Sequence, residues 1–258
     1  MSAAEKPPTP GFFEAFRSNA WTDLALTLPI FVAYHLGVVL LEVRNAADFF
    51  TTQLIGLAER NLMVYWGLTL GIGAAMVLIL AMLGRGEAFD FRRFVVVLLE
   101  GAVYAVLMRA VAISAIGAVP LAAPLGASQA ASQAASQAAS QAAQQLDARW
   151  TGLVMSLGAG LYEEIAFRVG LFGLGTLAIR AIFGGIAKWT LVVGWGLVTA
   201  AVFSAWHYVG PLGDPFELRS FVFRWVCGAV FTAIFVLRGF APAVWTHTLY
   251  DVWVLVLG

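Results

Sequence analysis

Apolar residues fall in long unbroken runs along this chain, not at alternating positions. Residues 21–41, 62–83, 94–125, 150–183, 189–206, 221–237 and 241–257 are nearly free of charge. An α-helix needs about 20 such residues to cross a bilayer core, and a run of that kind has no polar face to turn toward water. The pattern predicts an all-α fold, a polytopic transmembrane helix bundle of about seven spans (six to eight). The 94–125 run is too long for one simple span, which predicts a tilted helix ending near Pro120 and Pro124. Gly67 and Gly71 stand four apart in the second run, a spacing that permits close helix contact.

The segments between the runs divide the chain. Residues 1–20 read as a polar tail, with Pro7, Pro8 and Pro10, followed by a short interfacial helix. In that helix Phe12, Phe13 and Phe16 oppose Arg17. No short apolar segment with a small-residue cleavage site follows, so the first span is expected to remain as an anchor. Residues 21–126 form the N-terminal helices. Within them Phe50, Leu54 and Leu57 recur at helical spacing in the polar stretch 44–60, which predicts a membrane-surface helix. Residues 127–146 are an Ala/Ser/Gln repeat with no charge, a linker without chemistry that forms either a loose helix or a disordered spacer. Residues 147–258 hold every motif described below.

Composition agrees with a membrane protein: 61% of the 258 residues are hydrophobic and 12% are charged, against about 45–50% and about 25% in soluble domains. Formal net charge is +0, so no nucleic-acid partner is expected. Cys227 is the single cysteine, which excludes an intrachain disulfide and a paired-cysteine site.

Against this background the polar groups inside the runs stand out. Glu163, Glu164 and Arg168 interrupt 150–183, His207 closes the next run, and His247 and Asp251 lie in the last. Facing lipid, the first three together would cost about 8–10 kcal/mol, so they must face a protein interior or a wet cavity. Glu164 and Arg168 share a helix face at i, i+4, as do His247 and Asp251. Glu163, turned by about 100° from Glu164, is left to point into a cavity. A carboxylate can act as general base on water, and imidazole and carboxyl groups can donate hydrogen bonds to an oxyanion. Glu163, His207 and His247 are also a set that could hold catalytic zinc, with a second carboxylate as base. No G-x-S-x-G or H-E-x-x-H motif is present, and spacing alone does not separate metal-activated from carboxylate-activated water. His35 reads as a helix-packing histidine. Glu100 and Arg109, nine apart on opposite helix faces, must find partners other than each other. The tryptophans read as interface and packing residues.

Glu-Glu-x-x-x-Arg, Phe-x-x-x-His and His-x-x-x-Asp on successive helices resemble the CPBP family (CAAX protease and bacteriocin-processing, or Abi), which is related to the type II CAAX prenyl endopeptidases. The resemblance covers roughly residues 150–258. It implies a catalytic core there and an intramembrane endopeptidase of glutamate type that needs no cofactor. By motif position Glu163 would activate water and His207 would position or polarise it. His247 with Asp251 would stabilise the oxyanion, and Glu164 and Arg168 would support them. The last position is often Asn in the prenyl-protease branch and is Asp here. The implied partners are the lipid bilayer and a membrane-anchored protein or peptide substrate, in a bacterial inner (plasma) membrane. Two other readings remain. A non-catalytic scaffold or immunity-type protein would keep the fold and bind a partner. A proton-coupled transporter would use the same intramembrane groups as a relay, but the halves carry no internal repeat of the kind such folds contain.

Overall fold

Inside a bilayer no water satisfies the backbone, so each apolar segment must close its own hydrogen bonds as a helix. The computed structural model describes residues 20–41, 43, 45–57, 61–83, 91–117, 137–210 and 213–257, and all regular structure among them is helical. In chain order the elements are α1 (Ala20–Leu41), α2 (Phe49–Leu57), α3 (Leu62–Leu83), α4 (Phe91–Gly117), α5 (Gln137–Gly158), α6 (Ala159–Gly173), α7 (Leu174–Ile182), α8 (Gly185–Trp206), α9 (Leu218–Arg238) and α10 (Phe240–Val252), with a last turn Trp253–Leu257. Six helices among the described residues are long and apolar enough to cross a membrane. The 22-residue α3 has Leu62–Ala75 as its described apolar stretch. This is the polytopic bundle the apolar runs predict. The tail and interfacial helix at 1–19, the Pro120–Pro124 region and residues 127–136 of the linker lie outside the described residues. The end of the repeat, from Gln137, is helical and leads into α5, as the helix preference of Ala and Gln favours.

The run at 150–183 is one continuous rod, Ala148–Ile182, of 35 residues. Its middle, α6, is wound as a π-helix. A π-turn closes i→i+5 bonds, so the angle between Glu163 and Glu164 is smaller than the 100° of the α-helix expected there.

Helix α10 is the hub, packing on α1, α4, α5, α6 and α9. Its Ala241 and Ala243 are fully buried, small enough to admit several neighbours at once. Where α6 crosses it, a Cβ on Gly160 would collide with the Thr248 hydroxyl and come within 2.9 Å of the Thr248 backbone nitrogen. The chain reverses between α9 and α10 at Gly239, φ +106°, a left-handed conformation that favours glycine. The opened N-terminus of α10 is capped from α1: Asp23 accepts from Phe240 N at 3.0 Å and Ala241 N at 3.3 Å. Beside this break Arg238 Nη2 bonds both oxygens of Glu100 at 2.6 and 2.8 Å, giving Glu100 the partner that Arg109 could not be. Arg109 stacks over Trp253.

The helix expected in the polar stretch 44–60 is present as α2, and one of its apolar positions packs into the protein. Leu54 and Tyr65 pack together as a small core of α2 and α3. Asp48, 1% exposed, caps α2 by accepting from Thr51 N at 2.8 Å and takes the Tyr34 hydroxyl at 2.6 Å. The polar residues of this stretch are satisfied by one another and by Tyr34. His35 is held at both ring nitrogens, by Tyr65 at 3.1 Å and Tyr162 at 2.7 Å, as a packing histidine would be.

Candidate active site

Arg168 sets the electrostatics. Its side chain is 1% exposed and lies over the rings of Phe203 at 4.3 Å and Phe231 at 5.1 Å. Its Nε meets Glu164 Oε2 at 3.1 Å, and its Nη2 donates to Gly228 O at 3.3 Å. A buried guanidinium requires such a counter-charge, so Glu164 is the paired carboxylate of the doublet.

The other oxygen of Glu164, Oε1, is 2.7 Å from His247 Nδ1. An ionised carboxylate can only accept, so His247 carries a proton on Nδ1 and turns Nε2 toward the cavity. Phe231 stacks on the His247 ring at 4.4 Å, 22° between planes. Asp251 Oδ2 is 3.6 Å from the same Nε2. The sequence grouped His247 with Asp251 by spacing. The closer partner is Glu164, from another helix.

His207 closes α8. Its Nδ1 lies 3.0 Å from Phe203 O; a carbonyl only accepts, so that nitrogen also carries the proton. Its own carbonyl accepts from Asp214 N at 2.8 Å, tying the ring's backbone to the following loop. Burial lowers the His207 pKa below its ordinary value, with the nearby Glu163 carboxylate opposing. The neutral ring leaves Nε2 as an acceptor.

Glu163 completes the set. Its Oε2 is 4.0 Å from His207 Nε2 and 4.0 Å from His247 Nε2, and is buried with no hydrogen-bond partner among the described residues. Glu163, His207, His247 and Asp251 line a cavity of about 420 Å³ whose walls include Phe203, Phe223, Phe231, Val254 and Leu255. Arg224, paired with the exposed Asp214 at 2.6 Å, also lines it. The six residues singled out in the sequence therefore converge. The π-wound α6 and the hub position of α10 bring them together.

Zinc ligands at about 2.1 Å lie about 3.4 Å apart around a tetrahedral ion. Glu163 Oε2 is farther than that from either imidazole. Among the described residues, no group of three or more His, Cys, Asp or Glu side chains is arranged to hold a metal ion.

One residue of the site was not found by sequence reasoning. Asn45 Nδ2 donates to Glu163 Oε1 at 2.9 Å, from the polar stretch between α1 and α2. The only signal was an amide in an Arg-Asn-Ala-Ala-Asp cluster between two apolar runs, which has no motif around it.

Comparison with known proteins agrees with the motifs. Residues 145–253 match the family model described as Rce1-like, type II CAAX prenyl endopeptidase. Glu163, Glu164, Arg168, His207, His247 and Asp251 all fall within the match, and Asn45 falls outside it. The resemblance to the CAAX protease family is borne out over that stretch. No curated protein and no solved structure matches the chain. With six membrane-length apolar helices among the described residues, the chain is a multi-pass integral membrane protein.

Proposed function

We propose that this protein is an intramembrane endopeptidase that cleaves a peptide bond of a membrane-anchored protein or peptide, with water activated by Glu163. The observation that carries the reading is the pair Glu163 Oε2 and His207 Nε2, 4.0 Å apart across the cavity. Both are acceptors, so neither can satisfy the other. A water molecule between them satisfies both by donating one hydrogen to each, which turns its lone pair toward a substrate carbonyl.

The step follows. The water oxygen attacks the carbonyl carbon as Glu163 Oε2 takes its proton, and the carbonyl π pair moves onto oxygen. One proton on the His247–Asp251 pair, at Nε2 or at the carboxyl, supplies a donor to that oxyanion. On collapse the C–N bond breaks, and Glu163 returns its proton to the leaving amine. Glu164 and Arg168 keep His247 oriented. The match to a CAAX-protease family model supports the reaction class. The site's apolar walls favour a substrate presented from the bilayer.

The test is cleavage of lipid- or helix-anchored peptides by purified protein, with and without a strong chelator and with bound zinc measured. Chelator-resistant cleavage lost in Glu163→Ala supports the glutamate mechanism. Stoichiometric zinc with chelator-sensitive cleavage would assign Glu163, His207 and His247 to a metal. An unchanged cellular phenotype in Glu163→Ala would favour the scaffold.

A further inference from the structure

The N-terminal half of the chain carries no motif, yet it reaches the reacting carboxylate. Asn45 stands 118 positions before Glu163 and donates to its Oε1 at 2.9 Å. Every other polar group of Asn45 is also committed. Its Oδ1 accepts from Ala47 N at 2.8 Å, which fixes the amide orientation so that Nδ2 faces Glu163. Its backbone N donates to the Tyr34 hydroxyl at 3.1 Å. Its carbonyl accepts from Asp48 N at 3.1 Å. The Tyr34 hydroxyl in turn donates to Asp48 Oδ2, and Asp48 Oδ1 caps α2. The donor is thus preorganised by a closed turn, buried with Asn45 at 8% exposure. Gly158, at the start of the π-wound stretch, makes room for it. A Cβ there would strike the Tyr34 ring and come within 2.9 Å of Asn45 Cβ.

A carboxylate with two equivalent free oxygens can rotate and present either. Here Oε1 is occupied and Oε2 is not. We propose that Asn45 is a positioning residue for the reaction: by holding Glu163 Oε1, it makes Oε2 the single proton acceptor and aims it between His207 and His247. This rests on the reading of Glu163 as the base. The competing role is purely structural, with Asn45 serving only to close the turn before α2.

The experiment uses the full-length protein in lipid nanodiscs. The probes are quenched fluorescent peptides anchored by a fatty-acyl chain, a prenyl chain or a single apolar helix. Asn45→Ala is expected to lower kcat about 10- to 100-fold, the size of one hydrogen bond to a charged group, with KM little changed. Asn45→Asp keeps the shape of the side chain but puts a second carboxylate where the donor was. It should lose at least as much activity as Asn45→Ala, whereas a turn-closing role predicts that it retains activity. Adding Asn45→Ala to Glu163→Gln should cost nothing further.

A second readout needs no substrate. The infrared carboxyl band assigned to Glu163, as the band absent from Glu163→Gln, should shift in Asn45→Ala. A kcat within twofold of wild type in both Asn45 variants, or an unshifted band, overturns the proposal. Wild-type protein that cleaves no probe counts against the proteolytic reading, and the infrared band then decides the Asn45 contact by itself.

Discussion

Glu164 Oε1 and His247 Nδ1 meet at 2.7 Å in the buried interior, joining α6 to α10 at the point where the membrane protein would otherwise hold three uncompensated polar groups. The same carboxylate balances Arg168. Glu164 thus carries two duties that the helical repeat within either segment does not reveal. Glu164→Ala leaves a fully buried guanidinium unpaired and frees the imidazole. It is expected to destabilise the protein by about 3–5 kcal/mol, read as a lowered unfolding temperature in mild detergent. An unfolding temperature equal to wild type would show that the contact contributes nothing.

Glu163→Gln should behave in the opposite way. The amide oxygen can still accept from Asn45, so folding is retained, but an amide cannot take the water proton. Cleavage is expected to fall about 10²–10⁴-fold with no loss of thermal stability. Retained turnover in this variant would remove Glu163 from the role of base.

His207 introduces a pH dependence. Its neutral form accepts from water at Nε2, and burial holds its pKa below the ordinary imidazole value. The neutral ring therefore persists through neutral pH. kcat/KM should stay level there and fall only as pH drops through that lowered value. An acid limb centred above pH ~6.5, the ordinary value, would contradict a neutral His207.

Gly160→Ala tests the approach of α6 to α10. The added methyl meets the Thr248 side chain and backbone, an overpacking expected to cost about 1–3 kcal/mol. Thr248→Ala in the same chain removes the hydroxyl in the way and should recover part of the loss in a thermal melt. No recovery would mean that the backbone contact dominates.

Asp23→Ala removes a cap supplied by one helix to another. Loss of the bonds to Phe240 N and Ala241 N is expected to cost about 0.5–2 kcal/mol. Amide exchange at the start of α10 should accelerate, with the middle of α10 unaffected if the cap acts locally.

What the sequence determined by itself was what each segment had to become. Runs of about twenty apolar residues must be membrane helices, because a bilayer leaves the backbone no other way to bond. Charges inside such runs must face inward, because lipid will not solvate them. That reasoning singled out Glu163, Glu164, Arg168, His207, His247 and Asp251, and their order along the chain carried the family resemblance. Tertiary structure decided which atoms meet. The i, i+4 rule paired Glu164 with Arg168, since both lie on one rod. It could not pair Glu164 with His247, 83 positions away, because that contact depends on how closely two helices cross and on the π-winding of α6. Asn45 and the packing of α2 were illegible for the same reason. A short polar stretch looks like a surface segment in sequence, and only the surrounding fold, with Asp48, Tyr34 and Glu163 as partners, makes burying it cheaper than leaving it in water.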